Sequence, residues 1–261
     1  MSNTNAPTAF SGTASYYARY RSPYPDEFLC DLRSRAATSG HGSLLDLACG
    51  PGRVAIPMAP YFNNVMAVDV EAEMIAVGEI EARRRGVANI VWHVERAENL
   101  RLAPHVIELI TVGDAFHRLD QKRILKLAMK WLKSRGSLVT LSAEPVWCGQ
   151  EEWKRVLVEV VNKWTGNSLG DPNDDVWGGP CDELRAAGLH VQERESVVEW
   201  TWTCDSIIGF MFSTSIASHR ALGDKTHGFE TDLRSTLLTW EPGDQFVSMQ
   251  RFGFTLGMKD G

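Results

Sequence analysis

The chain is predicted to fold as a doubly wound α/β protein on a mostly parallel sheet. Three observations point there. Short apolar runs alternate with amphipathic runs five times between residues 44 and 143, the order that builds strand–helix–strand crossovers. The first apolar run ends in a glycine turn, Gly50-Pro51-Gly52, that opens a helix. The second ends in an acid, Asp69. At 261 residues the chain can bury a large core without metals or disulfides.

Each element has a local reason. A helix over residues 24–37 takes Pro25 in its first turn, repeats Phe28, Leu29 and Leu32 at helical spacing, and stops at Gly40 and Gly42. Leu44–Ala48 is a buried strand, and Arg53–Tyr61 is the helix after the glycine turn. Asn64–Val70 is the second strand. Glu71–Arg85 is strongly periodic, with Met74, Ile75, Val77 and Ile80 apolar, and closes on Gly86, a left-handed stop. Asn89–Val94 and Val106–Gly113 are strands three and four. Leu119–Leu132 is amphipathic, with Asp120 at its start and lysines near its end, as the helix dipole favours. Gly136–Ala143 is the fifth strand.

Past Ala143 the alternation breaks. Trp147, Trp153, Trp164 and Trp177 accompany a Gly170–Asp175 turn. Helices are expected over Glu151–Trp164, Cys181–Ala187, Ser206–Leu222 and Phe229–Leu238. Leu189–Val198 is a further strand, and Phe246–Met258 the last, expected to run antiparallel. The sheet is then seven-stranded and mostly parallel, with helical cover over its carboxyl edge. Residues 1–15 are expected to be a flexible N-terminus, and 16–261 a single domain. Within it, 40–143 forms the cofactor core, and 16–39 with 145–240 supplies lid and acceptor-pocket elements.

Composition narrows the function. A net charge of -6 argues against nucleic acid as partner, because phosphates call for a basic surface. The one compact basic run, Arg83-Arg84-Arg85, follows Glu79 and Glu81 and reads as a solvated helix face. The five cysteines, 30, 49, 148, 181 and 204, are odd in number and form no CxxC pair. Free thiols in a reducing compartment fit this, so the expected location is cytoplasmic. Cys49 in the turn is read as a small packing residue, not a nucleophile. No apolar run reaches the roughly 18 residues of a membrane span, and no H-E-x-x-H or similar cluster marks a metal site.

The turn Gly50-Pro51-Gly52-Arg53-Val54-Ala55 matches a G-x-G-x-x-A pattern, a weak signal alone. Helix N–H groups behind it would face a ligand, and Asp69 can accept both hydroxyls of a ribose. This fits a nicotinamide dinucleotide or an adenosyl sulfonium. Three features favour S-adenosylmethionine. Asp46, inside the first strand, can reach loop N–H groups or an amino-acid ammonium, where beside a pyrophosphate it would repel. Ala97-Glu98-Asn99-Leu100, after the third strand, can frame an adenine. Gly113-Asp114-Ala115-Phe116-His117 ends the fourth strand at the carboxyl edge, where ligands bind in this architecture.

These residues, with Tyr17-Ala18-Arg19-Tyr20-Arg21-Ser22-Pro23-Tyr24-Pro25 and Ala115-Phe116-His117-Arg118-Leu119-Asp120, resemble the class I S-adenosylmethionine-dependent methyltransferases. The likeness covers roughly residues 16–143 and the final strand, and is greatest to the small-molecule subgroup that includes trans-aconitate methyltransferase-like enzymes. It implies a Rossmann-like methyltransferase fold that takes S-adenosylmethionine and releases S-adenosylhomocysteine. It implies that Asp46, Ala48, Gly50 and Gly52 lie under the methionine part and that Asp69 holds the ribose. Val70, Met74, Ala97, Glu98 and Gly113 would complete the cofactor site. Tyr16, Tyr20 and Arg21 would cap it, with Arg21 a partner for the cofactor carboxylate. Two departures stand out: Pro51 removes a loop N–H donor, and Arg118 replaces a tryptophan frequent in the subgroup.

In-line displacement at a sulfonium methyl needs orientation and exclusion of water. His117 is the candidate acceptor contact or general base, since imidazole titrates near neutrality. Asp114 can orient it, line the site or cap the next helix. His219 and His227 are further pocket candidates. The expected acceptor pocket takes Tyr24, Asp114, His117, Trp147, Trp202 and Phe210, and its aromatic character favours an apolar organic acceptor. The leading expectation is methyl transfer to oxygen or nitrogen of a small molecule, such as a natural-product intermediate, by a monomer or homodimer. The alternatives are a non-methylating cyclase or cofactor-binding protein on the same fold, and a methyltransferase of RNA or protein. A nicotinamide oxidoreductase ranks last.

Overall fold

The computed structural model describes residues 10–36, 38–166, 169–170 and 179–261. In chain order, α1 (Ala14–Tyr20) and α2 (Asp26–Arg35) precede β1 (Ser43–Leu47). α3 (Ala55–Met58), β2 (Asn64–Asp69), α4 (Ala72–Arg84), β3 (Ile90–Val94), β4 (Ile107–Gly113), α5 (Gln121–Trp131) and β5 (Leu132–Ala143) follow in alternation. Then come α6 (Glu152–Thr165), α7 (Cys181–Ala186), β6 (His190–Trp202), α8 (Cys204–Phe212), α9 (His219–Leu222), α10 (Thr226–Trp240) and β7 (Phe246–Met258).

The seven strands form one sheet in the order β3-β2-β1-β4-β5-β7-β6. β1 pairs in parallel with β2 and β4, β2 with β3, and β4 with β5, whereas β7 runs antiparallel to β5. The order reverses at β1 and β4. The doubly wound, mostly parallel sheet is therefore present, and β7 is antiparallel as expected. Among the described residues no helix is long and apolar enough to cross a membrane.

Contacts divide the chain into two compact units. One comprises Pro23–Ala143, Gly178–Ser196 and Arg251–Gly261 and holds β1–β5. Its core joins Leu45, Leu47, Val68, Ile110, Val112, Ile124 and Trp131. The other comprises Met1–Ser22, Glu144–Trp177 and Val197–Gln250. Its core joins Trp153, Leu157, Trp202, Ile207, Phe210, Phe229 and Phe246. There the buried Lys154 ammonium lies 2.9 Å from the Glu151 carboxylate and also donates to the Cys148 carbonyl.

Several elements differ from expectation. The helix expected over Ser206–Leu222 is broken into α8 and α9. Ser213 and Thr214 turn their hydroxyls onto the carbonyls of Phe210 and Met211, at 2.5 and 2.7 Å, which ends α8. Ser218 then caps α9 by accepting from Ala221 N at 3.2 Å. The helix after the glycine turn is only Ala55–Met58, with a 3-10 turn at Ala59–Tyr61. β5 starts at Leu132 and absorbs a register shift against β4 before Ser137. Thr13 and Ala14, placed in the flexible N-terminus, are buried. Residues 1–9, Trp177 and most of the Gly170–Asp175 turn lie outside the described residues.

Candidate functional site

The carboxyl end of β1 sets the site. Its chain turns through Ala48, Gly50 and Gly52, all at positive φ (51°, 53° and 85°). Glycine takes this conformation readily; alanine does so at a cost of roughly 1–2 kcal/mol. The Asp69 carboxylate at the end of β2 clasps the turn, accepting from Gly50 N at 2.8 Å with one oxygen and from Glu71 N at 2.8 Å with the other. Burial pushes the Asp69 pKa up, against the pull of those N–H donors. Beside it the apolar Val70 is 47% exposed, whereas Met74 is buried. An uncovered apolar side chain next to a desolvated acid suits a ligand with a flat ring and a diol.

Asp46 lies beneath the turn, 1% exposed. It accepts from Ala55 N at 3.1 Å, and from the Thr111 hydroxyl at 2.8 Å. Of the two roles expected of it, the structure shows the contact to backbone N–H. It anchors the start of α3 and ties β1 to β4. Burial raises its pKa to about 7, with the Asp69 charge adding to the rise. Burial, with the charges of Asp46 and Asp69 adding, holds the Cys49 thiol well above its ordinary value, so it is protonated and poorly nucleophilic.

Gly52 was expected to admit a ligand to the backbone. A Cβ there would instead lie 2.7 Å from the Trp92 ring and 2.9 Å from Ile56. A Cβ on Gly78, in the middle of α4, would lie 2.6 Å from the same ring. Trp92 thus seats between two glycines and props the turn from behind. Sequence reading missed this residue, although a glycine inside a periodic helix was a visible signal.

At the end of β4, Asp114 departs most from expectation. It neither caps the following helix nor bonds His117. Asp120 caps α5, accepting from Arg123 N at 3.1 Å. Asp114, at φ 53°, accepts from Ala143 N at 2.8 Å, from Arg53 at 2.7 Å and from the Tyr24 hydroxyl at 3.1 Å. The Arg53 guanidinium lies 4.6 Å over the Tyr24 ring. Gly113 leaves room here, since a Cβ on it would meet Tyr24 and Val54 at 3.3 Å. Ala97 and Glu98 are buried in a 3-10 turn. Glu98 accepts from Asp120 N at 3.0 Å, so this acid fastens the start of α5. The His117 ring is exposed, yet partial desolvation and then the Arg118 charge hold its pKa below the ordinary value, against Asp114.

The remaining expected residues belong to the other unit. Tyr16 stacks on Tyr20 at 6.1 Å and on His219 at 5.2 Å, and His219 lies 4.3 Å from Phe212. Arg21 donates to the Ser213 hydroxyl at 2.8 Å, with its guanidinium over Tyr17 and Phe210 at 4.8 and 4.2 Å. Phe210 meets Trp147 and Trp202 edge-on, at 6.0 and 5.7 Å. Tyr16, Tyr20, Arg21, Trp147, Trp202 and Phe210 are thus brought into one aromatic assembly. Among the described residues no group of three or more His, Cys, Asp or Glu side chains is placed to hold a metal ion.

Residues 44–136 match the methyltransferase domain family. The family match is confined to this segment. Domains of this kind take S-adenosylmethionine as cofactor. The match runs from β1 to the start of β5 and contains the glycine turn, Asp69, Ala97–Glu98 and Asp114. The chain is similar to the ubiquinone/menaquinone biosynthesis C-methyltransferase UbiE of Zymomonas mobilis, at 29% identity over 154 residues, covering 58% of this chain and 62% of that protein. It is also similar to the uncharacterized methyltransferase YcgJ of Bacillus subtilis, at 27% identity over 130 residues, covering 49% of this chain and 51% of that one. The match thus spans less than two thirds of either relative. The YcgJ crystal structure superposes with a TM-score of 0.55 at 17% identity, covering 89% of this chain and 98% of that one. The [4+2]-cyclase SpnF does so with 0.52 at 18%, covering 92% and 85%. At this identity the two structures show the fold alone, a Rossmann-like α/β sheet.

Proposed function

We propose that the chain is an enzyme that transfers a methyl group from S-adenosylmethionine to an oxygen or nitrogen of a small organic acceptor. One observation carries the reading: within a segment matching a methyltransferase domain, the Asp69 carboxylate clasps the left-handed glycine turn, with Val70 uncovered beside it. The residues present fit the cofactor. Asp69 would take the ribose, Val70, Met74, Ala97 and Glu98 the adenine side, and Ala48, Gly50, Gly52 and Gly113 the methionine side. Asp46 would hold the floor beneath them. Tyr16, Tyr20 and Arg21 are proposed to cap the site.

When bound, the cofactor supplies an activated methyl on a sulfonium. The chain's residues then have to orient the acceptor and exclude water. A hydroxyl acceptor needs a proton acceptor at the moment of attack. His117, its pKa held below the ordinary value, is neutral near pH 7 and can serve. Trp202 and Phe210, expected in the acceptor pocket, pack the core of their own unit at 1% and 3% exposure, and the net charge of -6 favours a small acceptor over a nucleic acid. The Tyr17–Pro25 and Ala115–Asp120 runs support the trans-aconitate-like subgroup, with Arg118 the departure. We place the enzyme in the cytoplasm, as a monomer or homodimer.

The test is a panel of oxygen, nitrogen and carbon acceptors incubated with S-adenosylmethionine, carbon being included because one relative is a C-methyltransferase. S-adenosylhomocysteine should form in step with methylated acceptor. Saturable cofactor binding with no demethylated product across the panel, or conversion of an acceptor without loss of the methyl group, would overturn the reading. His117→Ala should lower kcat about 100-fold on a hydroxyl acceptor if the imidazole is the base. Unchanged turnover would remove that role.

A further inference from the structure

We infer that the groove between α5 and the β3–β4 crossover is a ligand site for an elongated organic anion, with an apolar body and an anionic group toward each end. The site does not depend on the methyltransferase reading above. A crossover between parallel strands usually carries a helix. Here residues 95–106 carry only a 3-10 turn, Ala97–Asn99. This thin link is pinned to α5 at both ends. Asp120 N donates to Glu98 at 3.0 Å, and the N–H groups of His105 and Val106 donate to the carbonyls of Lys130 and Trp131 at 3.0 and 2.9 Å. Between the pins a cavity of about 550 Å³ lies along the helix, within the roughly 300–1,000 Å³ of small-molecule sites. It runs toward the amino end of β4, where Ile107 follows Val106, and so away from the glycine turn at the carboxyl edge.

The lining matches such a ligand. Leu102, Leu127 and Trp131 form the floor, and Leu102 and Leu127 are only half-buried, so apolar surface is left to cover. Arg101, Arg123 and Lys130 stand exposed around that floor. None of the three forms an ion pair with another described residue. Arg123 and Lys130 are seven residues apart on α5, about 10 Å along its axis, which puts a cation toward each end of the groove. Two acids also line it. Glu98 is engaged by Asp120 N and lies 3.7 Å from the Arg96 guanidinium, which leaves Glu95 as one acid against three cations. α5 as a whole carries Lys122, Arg123, Lys126 and Lys130 and no acid, in a chain whose net charge is -6. Such a local field draws anions to this face although the molecule as a whole repels them.

The probe is a naphthalenedisulfonate with its two sulfonates at opposite ends of the ring system. Its binding to the full chain is measured by calorimetry, for wild type, Arg123→Gln, Lys130→Gln and Lys126→Gln. Wild type should bind it saturably, with a Kd below about 1 mM. Arg123→Gln and Lys130→Gln should each weaken binding about three- to fivefold, the scale of an exposed charge contact. Arg123→Gln keeps the backbone N that donates to Asp120, so the cap of α5 survives. Lys126 is on the same helix but does not line the groove, and Lys126→Gln should change binding less than about twofold. The monosulfonate should bind more weakly than the disulfonate, and inorganic sulfate at equal concentration should displace neither. No saturation up to about 1 mM, an equal loss in Lys126→Gln, equal binding of the monosulfonate, or displacement by sulfate overturns the assignment. Displacement by S-adenosylhomocysteine also overturns it, by placing the probe in the cofactor site. Titration with S-adenosylhomocysteine alone reports separately on the methyltransferase reading.

Discussion

At Asp46, burial and two hydrogen bonds compete. The carboxylate is almost wholly desolvated, and its pKa rises from 3.8 to about 7 although Thr111 and Ala55 N both favour the charged form. An acid whose folded pKa lies above its unfolded value holds its proton more tightly when folded. Its contribution to stability is complete below the unfolded value and is lost as pH rises toward about 7. Asn at this position stays neutral, can accept from Ala55 N, and can donate to the Thr111 oxygen. Unliganded Asp46→Asn should therefore melt above wild type at about pH 8, by on the order of 1–4 kcal/mol, with the gap closing toward about pH 4. A gap independent of pH, followed by circular dichroism melts, would show that Asp46 titrates like an ordinary carboxylate. Asp46, inside β1, and Asp69, at the end of β2, stood out in the sequence by their place beside a glycine turn. Their hydrogen bonds were not legible there, because Asp69 reaches back 19 residues to Gly50 and Asp114 reaches 61 to Arg53 and 90 to Tyr24. No local periodicity encodes such distances.

α4 shows the same division between local and distant causes. Its approximate extent and its stop at Gly86 were readable, since each is set within a few residues, whereas the apolar spacing misplaced Ile80, which is 52% exposed. The glycine at its centre was not explained until Trp92 on the neighbouring strand was seen against it. Gly78→Ala should normally strengthen a helix by about 1 kcal/mol. Here the new Cβ would fall 2.6 Å from the indole, and overpacking of this kind costs roughly 1–3 kcal/mol. The net effect should be a lower melting temperature for Gly78→Ala alone and a gain for the same change in a Trp92→Leu background. Stabilisation in both backgrounds would mean that Trp92 does not brace the turn. The break between α8 and α9 belongs to the same scale. Apolar periodicity continues up to Leu222, but Ser213, Thr214 and Ser218 offer the backbone competing partners. That hydroxyl cluster was a readable stop signal, overridden in the sequence reading by the run of large apolar residues before it.

Across the whole molecule, the glycine turn with its acids belongs to one compact unit and the aromatic assembly around Phe210 to the other. Sequence patterning resolved the first closely and the second only as a region rich in tryptophan, because large side chains at irregular spacing announce burial without saying what they bury against. Ligand linkage offers a test that needs no acceptor. A ligand bound only by the folded state adds about 2.7 kcal/mol at a hundred times its Kd. For a chain of this size that is roughly 5–10 °C in Tm. S-adenosylhomocysteine should give such a rise, and should act on the transition of the unit that carries the turn if the two units melt separately. Asp69→Ala will lower the unliganded Tm as well, because the carboxylate also holds Gly50 N and Glu71 N. The informative quantity is therefore the ligand-induced increment, which should shrink as affinity falls by about 1.5–3 kcal/mol with the loss of a charged hydrogen-bond partner. Equal increments in wild type and Asp69→Ala would remove Asp69 from the ribose. A rise with NADH matching that with S-adenosylhomocysteine would restore the dinucleotide reading of the turn.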